Sequence, residues 1–508
     1  MRTRKAFLNT VVGLLSALIT TFLSFFLNRV FLSSLGLDYL GLNGIFSNAL
    51  GMLSLTELGI GMAISYELYV PLAQNDTKRI AALMNLYKKA YYIIAGITFF
   101  VGIVIGIFVC ITAKSSEISV IERFVYFFLF LCNNCCTYLL SYKRTLLEVD
   151  QKSYIISTIT SCATIIATIT RILALYFLSS YILYILISII QTVIINIIVV
   201  VYVDKHYPYI RNSKEKLGKD SYKKLLSEVK SRIVIKLCNV LVSSTDNIII
   251  GSVISVASAG LFQNYNLVVG QLCLFISQIG NAITASLGNF VAVASGRELE
   301  DIIKEIEFFD HCIGTFCFTC FCVVISPFIQ LWLGDYLLPI TIPILLMCNV
   351  YITYIREVHW QVNNMTIGFN GNKRTYFHLM RAALNLIVSL VGAKFLGITG
   401  VVLGTVVSSI LIWCVEAVYT YTVVLKVNIR SHVKRQAIYV MQLLVIFFLI
   451  NKVTCLFDFN DLIMNILVRG LIASVMAILL LSIANIHNPC LYRVLDRVKI
   501  ILKRKSSL

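Results

Sequence analysis

The chain has 508 residues, 58% of them hydrophobic and 13% charged, with a mean hydropathy of +0.86, an apolar excess that excludes a water-soluble globule and makes lipid its solvent. The net charge of +18 raises nucleic acid as a partner, but the lysines and arginines gather in alternate short loops, the pattern of membrane insertion rather than of a phosphate-binding face. Fifteen cysteines, mostly inside hydrophobic stretches, are no disulfide framework. The C-x-x-C spacings within Cys132, Cys135, Cys136 and within Cys317, Cys320, Cys322 read as small buried hydrophobes before any metal or redox centre.

The hydrophobic segments run to about 20–27 residues, long enough to cross a hydrocarbon slab as helices and too long for barrel strands. They predict an all-α polytopic membrane protein of about fourteen spans with both termini cytoplasmic. The first span, 6–32, follows Arg2, Arg4 and Lys5 and reads as a retained helix rather than a cleaved signal. Five more, at 40–66, 91–112, 124–141, 153–177 and 181–203, complete an N-terminal six-helix lobe over 1–203. Residues 204–232 carry nine lysines and arginines and form a cytoplasmic linker. A C-terminal six-helix lobe over 233–425 follows, with spans at 233–253, 258–291, 312–332, 338–363, 377–396 and 400–425. Two further spans, 437–451 and 462–486, occupy 426–486. The tail 487–508 places Leu491, Val494, Leu495, Val498, Ile501 and Leu502 on one face and basic residues elsewhere, as an amphipathic interfacial helix does. On this alternation the expected outer segments hold few cations, namely Lys114, Arg123, Lys394 and Lys452.

A weak internal repeat aligns the segment from Asn28 with that from Asn247, matching Gly41 with Gly260, Leu42 with Leu261 and Gly51 with Gly270. Six intervening spans make the two copies parallel, as in transporters that rock two halves about a central site. Pro339 and Pro343 in the tenth span are candidates to break it, a simple kink being the default reading.

Charge at membrane depth costs roughly 2.5–3.5 kcal/mol or more unless it is paired or faces water, so every such residue needs a reason. Asn28, Arg29, Arg171, Lys236, Asn247, Arg356, His359 and Arg381 form the expected substrate-facing set, in which the cations line an aqueous lumen and attract an anionic headgroup such as a pyrophosphate. The bland alternative is pairing, as for Arg356 with a glutamate, or snorkelling of Arg29 and Arg381 near span ends. Glu57 and Asp246 are the candidates for ion coupling, against ordinary ion pairing. No Walker A motif, dinucleotide loop or H-E-x-x-H occurs, which argues against an enzyme, and no metal site is expected.

The stretch LGLDYLGLNGIFSNALGMLSLTELGIGMAISYELYVPLAQNDTKRIAALMNLYKKAYYIIAGI, 35–97, and the block TDNIIIGSVISVASAGLFQNYNLVVGQL, 245–272, resemble the Wzx-type polysaccharide flippases of bacteria, in the polysaccharide transporter family of the MOP (MATE-like) superfamily. The resemblance implies a V-shaped pair of six-helix lobes with two extra C-terminal helices. It implies translocation of an undecaprenyl-pyrophosphate-linked oligosaccharide repeat unit from the inner to the outer leaflet of the bacterial cell membrane, by alternating access, for capsule, O-antigen or exopolysaccharide assembly. No cofactor is implied beyond a proton or sodium gradient. The implied partners are the lipid-linked oligosaccharide, membrane lipids and the polysaccharide polymerase and export machinery. A MATE-like multidrug or small-molecule antiporter is the alternative within the same architecture; it usually favours acidic cavities, and here cations outnumber acids in the spans.

Overall fold

Polar caps and glycines set the helix limits. Asp76 accepts the Arg79 N–H at 3.0 Å to open one helix, Ser119 and Glu122 cap another reciprocally, and Ser180 and Asp461 cap two more. Gly36, at φ +86°, and Gly397, at φ +61°, let successive helices turn back at once, a backbone geometry open mainly to glycine. The computed structural model describes residues 2–53, 58–210, 237–293, 296–366 and 372–493. The first half holds α1 Arg2–Leu35, α2 Leu37–Leu53, α3 Leu58–Gln74, α4 Thr77–Thr112, α5 Val120–Ser141, the short α6 Arg144–Val149, α7 Ser153–Leu178 and α8 Tyr181–His206. After it come α9 Leu237–Ile254, α10 Val256–Val293, α11 Arg297–Leu333, α12 Thr341–Thr366, α13 Asn372–Leu396, α14 Ile398–Val418, α15 Arg430–Thr454 and α16 Leu462–Ala484. No strand occurs among the described residues.

Twelve helices among the described residues are long and apolar enough to cross a membrane. They leave large apolar side chains such as Phe100 and Phe108 of α4, Tyr176 and Phe177 of α7 and Phe448 of α15 exposed, which is how helices look when lipid covers them. The chain is a multi-pass, all-helical membrane protein. Several helices outrun the apolar windows that announce them: α4 starts at Thr77, α11 at Arg297 and α15 at Arg430, ahead of 91, 312 and 437. The expected span 40–66 corresponds to α2 and α3, with 54–57 outside the described residues. Pro343 sits in the first turn of α12, where a missing N–H costs nothing, so neither it nor Pro339 breaks that helix. The expected linker 204–232 and tail 487–508 fall largely outside the described residues.

By contact the chain forms two compact units, Met1–Gln263 and Asn264–Leu508. In the first, α1 packs on α7 and α2, α4 on α5, and α8 on α5 and α7. The loop after α4 ties several helix ends together: the Lys114 N–H donates to Gly251 O at 2.9 Å, the Val256 N–H to Lys114 O at 2.9 Å, and Ser115 Oγ to Asp38. Arg123, buried, donates to the carbonyls of Cys110 (3.1 Å) and Ala113 (2.5 Å), acceptors that the end of α4 leaves open, and to that of Ile118 (2.9 Å) just ahead of α5. The repeat-related Gly41 and Gly260 face each other, so close that a Cβ on Gly41 would lie 1.9 Å from Val256 O and one on Gly260 2.5 Å from Leu37 O. In the second unit α13 and α14 make a tight hairpin against α12, while α11 packs on α12, α15 and α16.

Candidate functional site

The side chains of α12 organise the candidate site. It carries Asn349, Arg356, Glu357, His359, Gln361 and Asn363, and at 26 residues it is long enough to span yet too polar to count among the twelve apolar helices. Lipid would not accept that sequence, but α11 and α14 cover it.

Toward α13 and α14, the centre is Glu416, whose side chain is fully buried. Its Oε2 accepts from Asn363 Nδ2 at 2.7 Å, and its Oε1 stands 3.3 Å from His378 Nε2. Asn363 also donates to the Glu416 backbone carbonyl at 3.0 Å, and its Oδ1 receives Thr420 Oγ1 at 3.3 Å. Arg356 experiences the charges of Glu357 and Glu416, and Arg356 and Arg381 both act electrostatically on His378. Two expected cations, Arg356 and Arg381, thus share His378, which itself stands against the buried Glu416 carboxylate, and opposite charge nearby is what keeps charge tolerable at membrane depth. Arg356 Nε has no hydrogen-bond partner.

Toward α10, a cavity of about 300 Å³ is lined by Ser277, Asn349, Thr353, Tyr354, Glu357 and Gln361, with Glu357 the charged group of its wall. Gln361 Nε2 donates to Glu357 Oε1 at 3.0 Å.

His359, on another face of α12, joins neither set. Its Nε2 stands 3.2 Å from Oε1 of the fully buried Glu307 on α11, as does Nδ1 of His432 on α15. Tyr421, in a π-helical segment Tyr419–Val424 that prolongs α14, donates to the same oxygen at 3.1 Å. The other oxygen, Oε2, accepts from Arg435 Nε at 3.0 Å and Gln436 Nε2 at 3.3 Å.

The first unit holds the remaining expected residues. Arg171 of α7 donates to Gln191 Oε1 of α8 and lies over the Tyr184 ring at 5.4 Å. Tyr184 in turn meets Phe31 edge-on at 4.9 Å. Arg29 is exposed on α1 and Asn28 half-buried beside it. Asn247 of α9 is buried and donates to Gln263 Oε1 at 2.7 Å, and Asp246 is half-buried next to it. Glu57 and Lys236 lie outside the described residues. Arg469, another cation within a span, bonds Phe457 O and Asp458, both at 2.9 Å.

Sequence reasoning misses Glu307, His378, Asn363, His432 and Arg435. Hydropathy assigns His432 and Arg435 to a loop, since apolarity starts only at 437, and Glu307 precedes the apolar run that begins at 312. The acids 300, 301, 305, 307 and 310 are the available signal: so many carboxylates leading into a span need cover on one side.

Helices in this order give a fold shared with solved flippases and multidrug transporters. The chain superposes on the lipid II flippase MurJ in its inward closed conformation with a TM-score of 0.63 at 16% identity, covering 94% of this chain and 99% of that one. An inward-facing multidrug resistance MATE family transporter of the MOP superfamily gives 0.56 at 13% identity, over 80% of this chain and 97% of that one. A mutant of the Vibrio cholerae MATE transporter VcmN gives 0.51 at 14%, over 82% and 95%. No family model matches the sequence, and no curated protein does.

Proposed function

We propose that this chain is a flippase for a lipid-linked oligosaccharide, carrying an undecaprenyl-pyrophosphate-linked repeat unit from the inner to the outer leaflet of the bacterial cell membrane for capsule, O-antigen or exopolysaccharide assembly. The observation that carries the reading is a fold shared almost end to end with a lipid II flippase, on a chain that keeps Arg356, half-buried on α12, and Arg381, buried on α13, around one buried histidine, His378. Guanidinium groups suit a pyrophosphate, since each offers planar, paired donors to phosphate oxygens. In this reading Arg356, which feels the Glu416 charge, and Arg381, which acts on His378, turn to the headgroup, and Asn28, Arg29, Arg171, Lys236, Asn247 and His359 contribute to the substrate path. Glu57 and Asp246 are the ion-coupling candidates, with a proton or sodium gradient as drive.

The decisive experiment depletes the protein in its host and follows the sidedness of the lipid-linked oligosaccharide. The expected result is accumulation facing the cytoplasm; unchanged sidedness ends the reading. Arg356→Ala and Arg381→Ala should each reduce export, and full export by both removes the cationic-lumen argument. A multidrug antiporter is the second reading, favoured by the Glu357-lined cavity, which presents a negative charge and no positive one among its lining residues. It predicts that depletion raises sensitivity to cationic dyes and leaves the oligosaccharide untouched.

A further inference from the structure

The cluster around Glu307 lies apart from the groups assigned to substrate, His359 excepted. Three donor atoms, Glu307 Oε1, His359 Nε2 and His432 Nδ1, lie within 4.8 Å of one another, and all three residues are buried. Both nitrogens stand 3.2 Å from the carboxylate oxygen. That is close to the roughly 3.3 Å edge of a tetrahedron with metal–ligand bonds of about 2.0–2.1 Å. His359 is 0% exposed, and its Nδ1 has no hydrogen-bond partner among the described residues, a costly state for a buried imidazole. Tyr421 supplies a fourth oxygen, 3.1 Å from Glu307 Oε1. The far side of the carboxylate is held by Arg435 and Gln436, which fixes Oε1 toward the histidines in the way that outer partners orient metal ligands.

We infer that Glu307, His359 and His432 bind one divalent transition-metal ion of the zinc type, with Tyr421 or water in the fourth position. The donor set of two imidazoles and a carboxylate suits zinc over magnesium or calcium, which prefer all-oxygen shells. The three ligands come from α11, α12 and α15, so the ion fastens the first turn of α15 to the helix pair it lies against. The π-helical widening at Tyr419–Val424 brings Tyr421 to the same point, and such bulges recur at functional sites.

The test uses the full chain, purified in detergent and stripped with a chelator, then given zinc or cobalt alone. Wild type should retain about one equivalent of zinc after desalting, and cobalt should give the visible bands of four-coordinate nitrogen and oxygen ligation. His359→Ala and His432→Ala should each lose that equivalent, Gln436→Leu should weaken it about tenfold, and His378→Ala, at the neighbouring carboxylate, should keep it. No retained zinc in the wild type, or equal retention by both histidine variants, overturns the proposal. Because either variant could fail to assemble, zinc X-ray absorption on the loaded wild type decides independently: imidazole scattering supports the site, and a sulfur shell from the free cysteines overturns it.

Discussion

An alanine at Gly41 tests the backbone crossing that the internal repeat builds. The new Cβ would stand 1.9 Å from Val256 O, 2.8 Å from its carbonyl carbon and 2.9 Å from Gly260 N, all backbone atoms that no rotamer change can move. A carbon approaches a carbonyl oxygen to roughly 3.3 Å at closest, so α2 and α10 must separate by about 1.4 Å. Small residues at such crossings let membrane helices pack tightly, and overpacking typically costs about 1–3 kcal/mol, more where backbone must shift. At about 2–4 °C per kcal/mol, Gly41→Ala and Gly260→Ala should each melt several degrees below wild type in a detergent thermal-shift assay. Gly96 and Gly270 have open space where a Cβ would go, so alanine there should be neutral or stabilising by up to about 1 kcal/mol through helix propensity. Equal or higher melting for Gly41→Ala and Gly260→Ala would refute the close crossing. Uniform destabilisation by all four would make the effect one of glycine loss in general.

Asn363→Leu should destabilise the second unit by about 1.5–3 kcal/mol, because it strips a charge-assisted bond from a carboxylate with no water to replace it; an unchanged melting temperature would deny that Glu416 is ionised there. Lys152, between α6 and α7, is disfavoured as an ammonium by partial burial, but its bonds to Asp150 and to Tyr207 (2.8 Å) prevail and raise its pKa above the ordinary lysine value. A raised folded pKa means that this stability is present below the unfolded value and lost only as pH climbs through the folded one. Lys152→Met should therefore cost about 0.5–1 kcal/mol, a figure limited by solvent exposure, constant from neutral pH to about pH 10 in urea or thermal titrations. Cys455, exposed between α15 and α16, should react with a membrane-impermeant maleimide added to intact cells, whereas Cys162 and Cys414, exposed on helices within spans, should need a permeant reagent; labelling of Cys455 only after lysis would reverse the expected orientation.

Hydropathy makes the spanning helices legible because lipid imposes one rule on all of them, and it locates Arg171, Arg356 and Arg381 because charge in an apolar run is conspicuous. It does not tell which partners those charges find. Arg171 meets Gln191 and Tyr184, and Arg356 meets Glu357 and Glu416, contacts set mostly by helix neighbours distant in sequence. The Glu307 cluster escapes for a different reason. Glu307, His432 and Arg435 stand on helical turns beyond the apolar windows, where a charged residue looks solvated, and the packing of α11 against α12 and α15 buries the first two and half-buries the third.

That contrast bears on where chemistry resides in this fold. A helix such as α12 cannot be held by hydrophobic contact with lipid, so its polar side chains must be satisfied by its neighbours on three faces: Glu307 of α11 and His432 of α15 on one, Glu416 of α14 and His378 of α13 on another, the Glu357 cavity toward α10 on a third. Any rearrangement that opens a path for an anionic headgroup along α12 must exchange some of these bonds for substrate contacts, and the His378–Glu416–Asn363 set, adjoining both arginines, is the one whose loss a pyrophosphate could compensate. The Glu307 set has no unpaired cation to offer a phosphate, since Arg435 is already bonded to the carboxylate and to Tyr421 at 2.7 Å. Export defects without loss of fold should therefore concentrate around Glu416, and assembly defects around Glu307.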